Sequence, residues 1–586
     1  MNQVRLPIII GALTAAVAAG CQLAEAGGGS AGDPVPTTAS TASALTADDP
    51  CAWAATVAVT PPTIPATLAG VPVKLDVAVT NATDASCAPL DFEIDVQDTG
   101  LLFDPRPVPA IVIVTPNSPP QTRPPVLTLA GGATGHLTVT ATAPASADAG
   151  DVLPVDIVVA APRTAPPPPP APLPPPPPQV AAPTIPFTVA AAPGCQVSTS
   201  HELMIRSVSV VDDPVRTVFA PASRDPRNGA WSFKHLVEGI ARTPAAAPAM
   251  VEAMLTSFTA PATINGFTVA ARPGVQSQVL ATWPRTADGA LDLARAPLHL
   301  QAIVSRLDLR NLAAGDAGEG RFVFAFDLPA STTPGAPPPQ ATIIFEYKLP
   351  ASRPEDVVAW ASAFHLLGSL PFGEPYNAVL QLITERFVHR GARPGHPNGS
   401  AISAVRTNEI PFGDNRLWEL REFHLARSGD LQASTVELTP DGSFNNTAAL
   451  AGYITANQAQ ILADKHTVPA LLDGQPFAGG AIFNRLDTWF APGIDNEARH
   501  HFAINTCNGC HGAAETGTVF LHLVPRAAGA QADRSRWLTG TVVDDPATGA
   551  PRSFDDLGRR KADLAAIVCR RPGISVDLAQ GIRRVH

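Results

Sequence analysis

What this sequence has little of narrows its chemistry before any motif is read. Basic residues are outnumbered, 40 Lys and Arg against 51 Asp and Glu, for a formal charge of −11. No basic stripe is available to neutralise phosphates, which excludes nucleic acid as a partner. Aromatic residues amount to only 6 %, yet the apolar fraction of 45 % is ordinary for a folded protein. Beyond the N-terminal leader, no stretch reaches the roughly 18 uninterrupted apolar residues of a spanning helix. There is no His-Glu-x-x-His, no Gly-x-Ser-x-Gly, no P-loop and no dinucleotide fingerprint. Zinc-peptidase, α/β-hydrolase and nucleotide chemistry therefore lose their usual supports.

Cysteine is sparse but patterned. Five residues near the C-terminus, Cys507-Asn508-Gly509-Cys510-His511, carry the spacing by which a c-type haem is fixed. Two thiols add across the haem vinyl groups, and the adjacent imidazole binds the iron from the proximal side. Composition alone would produce the string in roughly one such chain in several hundred. Cys507, Cys510 and His511 are thus the candidate site for one haem c, with His511 as the ligand to the iron. A disulfide between Cys507 and Cys510, or a zinc site completed by Cys569, are the competing readings.

The distal ligand is less legible. Small c-type cytochromes usually place a Met several dozen residues after the motif, but Met1, Met204, Met250 and Met254 all precede it. His522 is the nearest downstream candidate; His500 and His501 lie just before the motif, and His586 ends the chain. Bis-His ligation would lower the potential relative to His/Met, whereas an open position would permit peroxide, O₂ or NO chemistry. A second Cys-x-x-Cys-His is absent, which separates the chain from di-haem peroxidases.

Residues 1–20 read as an export signal, with Arg5 ahead of an apolar run from Leu6 to Ala19. The following Val17-Ala18-Ala19-Gly20-Cys21 resembles the lipobox of bacterial lipoproteins. That resemblance implies cleavage before Cys21, its lipidation, and anchoring of a tethered protein to a membrane. Export suits covalent haem attachment, and it suits disulfides. With Cys21 lipidated and the haem pair set aside, Cys51, Cys87, Cys195 and Cys569 remain; Cys51–Cys87 and Cys195–Cys569 is the favoured pairing, because the first pair lies within one candidate domain.

Composition then divides the chain. Residues 21–47 form a flexible Gly/Ala/Ser/Thr spacer. Residues 48–162 alternate apolar and polar in short segments, as in Val73, Leu75, Val77 and Val79, with apolar runs at Ile111–Val114 and Ile157–Val159. This predicts a β-sandwich, and the arrangement loosely resembles the Ig-like modules of exported bacterial enzymes. Residues 163–190 hold two runs of five prolines, a polyproline II spacer. Residues 191–495 interleave helices and strands without a strict βα repeat, which predicts an α+β domain. The stripe Phe233, Leu236, Val237 and Ile240 marks one helix, Pro248 opens a second, Ser352 to Glu355 reads as a capping box, and Tyr376–Val388 is a fourth. Strands are predicted at Ala302–Leu309, Arg321–Leu328, Thr342–Leu349 and Leu417–Leu425. Residues 496–586 have the length of a mainly α cytochrome c-like segment, with Thr506 as N-cap of the helix presenting the thiols.

Charge is concentrated in the predicted strands of the large domain. Arg306, Asp308 and Arg310 alternate, so they would share one strand face. They form either structural ion pairs or a pocket for an anion. Glu319 and Glu409 are candidate acid/base groups. The segments "ELMIRSVSVVDDPVRTV", "RLDLRN", "GEGRFVF", "RTNEI", "WELREF" and "NTCNGCHGAAET" are similar to those of large exported bacterial proteins, common in myxobacteria-like species, with a single haem-binding motif. The resemblance spans about residues 195–560 and implies export and this order of segments, without a substrate. The expectation is a multidomain cell-envelope lipoprotein, on the periplasmic face or at the outer membrane, exchanging electrons with a redox partner through one haem. A haem-dependent oxidoreductase is the enzymatic variant. The alternative is a non-haem surface lipoprotein that binds polymer or protein.

Overall fold

A computed structural model describes residues 49–97, 99–104, 125–162, 177–190, 195–328, 340–410, 418–484, 488–518, 521–569 and 576–584, with short strands at 37–38 and 42–43. The leader, Cys21, the apolar run at 111–114, most of the proline-rich run and His586 lie outside the described residues.

The organising element is an eight-stranded antiparallel sheet. Its strands are β1 (Met204–Ile205), β2 (Leu298–Arg306), β3 (Asp316–Phe326), β4 (Gln340–Pro350), β5 (Ile402–Ile410), β6 (Trp418–Leu425), β7 (Leu431–Ser434) and β8 (Ile482–Asn484). The first seven pair in chain order, and β8 adds to β6. Side chains alternate across a strand, so the two faces can differ completely. One face carries Phe322 and Phe324 of β3, Phe345 and Tyr347 of β4, and Phe423 of β6. It packs on helices α1 (Phe233–Ile240), α2 (Ala247–Thr256), α3 (Pro354–Leu366) and α4 (Glu374–Val388). Phe233 of α1 meets Phe324 and Phe345 with ring centroids 6.0 and 5.6 Å apart, and Phe387 of α4 meets Tyr347 at 5.7 Å. The other face is charged, and it bears the site described below.

Ahead of this body, residues 54–188, with the short strands at 37–38 and 42–43, form sheets of six, four and two strands around a separate core that includes Val57, Leu75, Phe92, Val139 and Phe187. Cys51 and Cys87 are disulfide-bonded, joining the approach to the strand Ala54–Thr60 of one sheet to the approach to Leu90–Val96 of the next. Cys195 is bonded to Cys569. Two disulfides fit an oxidising compartment. Among the described residues no helix is long and apolar enough to cross a membrane.

The predicted fold class needs correction. Among the described residues the chain is a mixed α/β protein dominated by β-sheet, with no mainly α cytochrome-like segment at its C-terminal end. After α5 (Asn496–Ile504) and α6 (Cys507–Cys510), residues 523–554 hold two short strand pairs and the helical turn Arg536–Thr539, followed by α7 (Asp556–Val568). The physical reason is that this segment lacks a core of its own. Cys510, Leu523, Trp537, Leu538 and Leu557 belong to the same buried cluster as Phe322 and Phe345 of the large sheet. The Ig-like sandwich is likewise set aside. The sheets divide six, four and two, and strands Gln179–Ala181 and Ile185–Thr188, within the expected linker, pair with Ile157–Ala160 and Val152–Val155.

Candidate functional site

The charged face is built by register. Met204 of β1 pairs with Val304 of β2, Val304 with Arg321 of β3, and Arg321 with Glu346 of β4. Arg406 of β5 stands between Ile344 and Glu422. Paired residues present their side chains to the same face, so a row of buried charge runs across the sheet. Arg321 reaches Glu346 at 3.0 Å and Glu319 at 2.6 Å; Arg406 reaches Glu346 at 3.0 Å and Glu422 at 2.9 Å. Burial, with Glu319 and Glu422 nearby, pushes the Glu346 carboxyl up to about 7 against the pull of Arg321 and Arg406.

Residues 496–568 cover this face. Asp495 caps α5 by accepting from the Ala498 amide, and Thr506 caps the next turn by accepting from the Gly509 amide. The turn Cys507–Cys510 then delivers His511. Gly509 is sterically required, because a Cβ there would stand 2.1 Å from the Ala503 carbonyl oxygen. His511 is fully buried and stacks on the Trp418 indole, centroids 4.3 Å apart. Trp418 in turn donates Nε1–H to Asn408 Oδ1.

His522 comes to the same place. Its ring lies 4.4 Å from that of His511, its Nε2 is 3.3 Å from Cys510 Sγ, and its Nδ1 is 2.8 Å from Ser535 Oγ. Burial, reinforced by His511, holds its pKa well below the ordinary histidine value, so the ring is neutral. A neutral imidazole is the form that can bind a metal.

Between sheet and cover lies a small cavity of about 60 Å³. The sheet wall is Met204, Val304, Arg306, Arg321, Val323 and Ile344 with Thr342 and Asn408; the cover contributes His511, His522, Leu523, Leu538 and Arg560. Arg560, 4 % exposed, is pushed down to about 9 by burial and by Arg306. Its Nη2 meets Asp556, while its Nε finds no hydrogen-bond partner among the described residues. Arg306 and Arg321 on the same lining are already paired with Asp308, Glu319 and Glu346.

The residue types suit a haem c in part, with aliphatic side chains for a macrocycle and His511 for the imidazole. The cavity, however, is smaller than a macrocycle, and neither Cys507 nor Cys510 lines it. Cys510 meets the cavity through His522, and Cys507 packs with Trp418, Leu420 and Leu521 beneath it. The competing chemistries fit less well. Burial pushes the Cys507 thiol up to about 12 and Cys510 well above its usual value, the reverse of the lowered thiol of a redox dithiol. Cys507 and Cys510 are free thiols here, and Cys569, needed for a zinc site, is committed to Cys195. Among the described residues no group of three or more His, Cys, Asp or Glu is placed to hold an ion; a haem iron needs only one or two protein ligands.

Other predicted site residues are placed elsewhere. β2 ends at Arg306, and Asp308 lies in a single 3₁₀ turn, so Arg306, Asp308 and Arg310 do not share a strand face. Arg306 pairs with Asp308 at 2.9 Å and Arg310 with Asp563 of α7 at 2.7 Å. The ion-pair reading therefore describes Arg310, whereas Arg306 also lines the cavity. Glu319 is held ionised, well below the carboxylate range, by Lys348 and Arg321, so it is no proton donor. Glu409 is raised by burial and by Glu419, and it lies off the cavity beside Arg272. His500 pairs with Glu515 and His501 with Asp464, away from the cavity lining. Sequence reasoning missed Arg321, Met204 and Arg560 as neighbours of the motif; strand register brings the first two there and the packing of α7 the third. No protein-family model matches the chain, and no curated protein matches it.

Proposed function

We propose that this chain is an exported c-type haem protein, anchored through lipid on Cys21, that moves electrons between one haem c and a partner protein at the cell envelope. The haem would be held by Cys507 and Cys510 through thioether bonds and by His511 at the iron. The observation that carries the reading is that His511 of the Cys-x-x-Cys-His turn lines a cavity whose opposite wall is aliphatic at Val304, Val323 and Ile344 and cationic at Arg306 and Arg321.

When bound, the haem supplies a one-electron iron couple. The chain's residues do the rest. The Thr506 cap and Gly509 fix the turn, so the two thiols and the imidazole are presented together. Trp418 holds the His511 ring against rotation. Arg560, whose Nε has no hydrogen-bond partner among the described residues, would be the donor to a haem carboxylate. Leu523 and Leu538 limit access of water.

The test is a pyridine haemochrome spectrum with intact mass, on protein matured in a host competent for c-type haem attachment. The expected result is a mass increase of one haem and a c-type α-band. Cys507→Ala with Cys510→Ala abolishes covalent haem while the unit around Cys51–Cys87 stays folded. Haem staining retained in that double variant, or an unmodified wild-type mass, overturns the reading.

A further inference from the structure

We propose that the Cys195–Cys569 bridge is a thiol–disulfide exchange site, served by His365 and Glu202, that accepts two electrons from an external dithiol. This goes beyond the haem reading above and does not depend on it.

The bridge joins the segment ahead of β1 to the end of α7, and solvent reaches it. Cys195 is exposed and Cys569 half-buried. The His365 ring, in the last turn of α3, lies against the bridge with Nε2 3.6 Å from Cys195 Sγ. The other ring nitrogen is fixed from behind. Nδ1 donates to Glu202 Oε2 at 2.8 Å, and the Glu202 side chain is fully buried. Glu202 is itself held by the Ser198 amide, which donates to Oε1 at 2.8 Å. Burial pushes this carboxyl up to about 6, so at neutral pH it is ionised and accepts the Nδ1 proton. Gly368 makes room for it, because a Cβ there would stand 2.1 Å from Glu202 Oε1.

A buried carboxylate behind an imidazole whose far nitrogen faces sulfur is the geometry that moves a proton to or from a cysteine. Cys51–Cys87 has a different setting. Cys87 is 8 % exposed, and its Sγ lies 3.5 Å from the Pro50 carbonyl oxygen, which has no proton to give.

In the first step, one thiol of the dithiol loses its proton to solvent and its thiolate attacks Cys569 Sγ. The Cys569–Cys195 bond breaks and its electron pair leaves on Cys195 Sγ. That sulfur takes the proton carried at His365 Nε2, which solvent replaces. The second thiol, also deprotonated by solvent, attacks the first thiol's sulfur in the mixed disulfide and releases Cys569 as a thiolate, which solvent protonates. One dithiol is oxidised to a disulfide, and Cys195 and Cys569 are reduced to thiols. A sulfur leaves faster when its thiolate is stabilised, so the proton beside Cys195 selects it as the leaving group. Opening unties the end of α7, which carries Arg560 of the cavity cover, from the segment ahead of β1.

The test follows both bridges in the full-length protein, alkylating released thiols over time and assigning them by peptide mass. The probes are dithiothreitol and a reduced Cys-x-x-Cys protein, thioredoxin. Cys195–Cys569 should open at least about tenfold faster than Cys51–Cys87, a small part of the roughly 10²–10⁴ typical of acid–base catalysis. His365→Gln and Glu202→Gln should each slow Cys195–Cys569 by about tenfold and leave Cys51–Cys87 unchanged. Damage to the fold would speed opening instead, so slowing separates the proposed roles from structural ones. Opening by both probes makes a protein the electron donor, and opening by dithiothreitol alone confines the donor to a small dithiol. Equal rates for the two bridges in wild type, or a His365→Gln rate that is unchanged or faster, overturn the proposal. The wild-type comparison decides even if a variant does not fold.

Discussion

His466 is a buried base with nothing to hold. It is 2 % exposed, and neither ring nitrogen has a hydrogen-bond partner among the described residues. Burial lowers its pKa to about 4 from an ordinary 6.5. A depressed histidine contributes stability that is present above about pH 6.5 and is lost as the pH falls through about 4. The linkage amounts to on the order of 3 kcal/mol. Urea unfolding at neutral pH and near pH 4 should show that loss, and His466→Leu should flatten it; equal pH dependence in both proteins would refute the assignment. The Cys-x-x-Cys-His string is at the same scale, legible because it is strictly local. That Met204 shares a cavity with His511 was not legible, since only register lays its strand there. Arg560 was invisible too: its place on the cavity is seen only once α7 packs against the 3₁₀ turn that follows β2.

Elements with strong periodicity could be read directly. The stripe Phe233, Leu236, Val237 and Ile240 is α1, all four side chains buried, and Pro248 sits in the first turn of α2. The predicted strands at 302–309, 321–328, 342–349 and 417–425 are β2, β3, β4 and β6, with ends shifted by a few residues. The capping box moved by one residue, to Arg353 and Asp356, because Pro354 takes the first helical position of α3. Thr506 was read correctly as a cap, and it does more than its spacing implied. Besides accepting from the Gly509 amide, its Oγ1 accepts from Trp489 Nε1 at 2.8 Å in a fully buried setting. Thr506→Ala should therefore cost about 1–2 kcal/mol of stability. It should also lower the yield of haem attachment in the matured protein. Calorimetry and haem-to-protein absorbance ratios would check both, and an unchanged ratio would show that the cap does not position the thiols.

At the scale of the whole molecule, the sequence showed where composition changes but not which pieces stand alone. Residues 54–188 own a core, whereas the apolar residues of 496–568 are shared out among clusters completed by the large sheet and by Leu450, Tyr453 and Trp489. Residues 496–586 expressed alone should be unfolded by far-ultraviolet circular dichroism, and residues 49–190 should melt cooperatively; a folded 496–586 fragment would restore an autonomous cytochrome unit. The bridge from Cys195 to Cys569 spans a sequence separation of 374, against 36 for Cys51–Cys87. During synthesis the short bridge can close early, while Cys195 must wait as a lone thiol. Cys507 and Cys510 both emerge before Cys569, so the first thiols to reach Cys195 are the wrong ones, and exchange out of such a mispair takes seconds to hours. If the proposed haem is attached, covalent capture of Cys507 and Cys510 would remove the two competitors and tie the fidelity of the long bridge to the timing of cofactor loading.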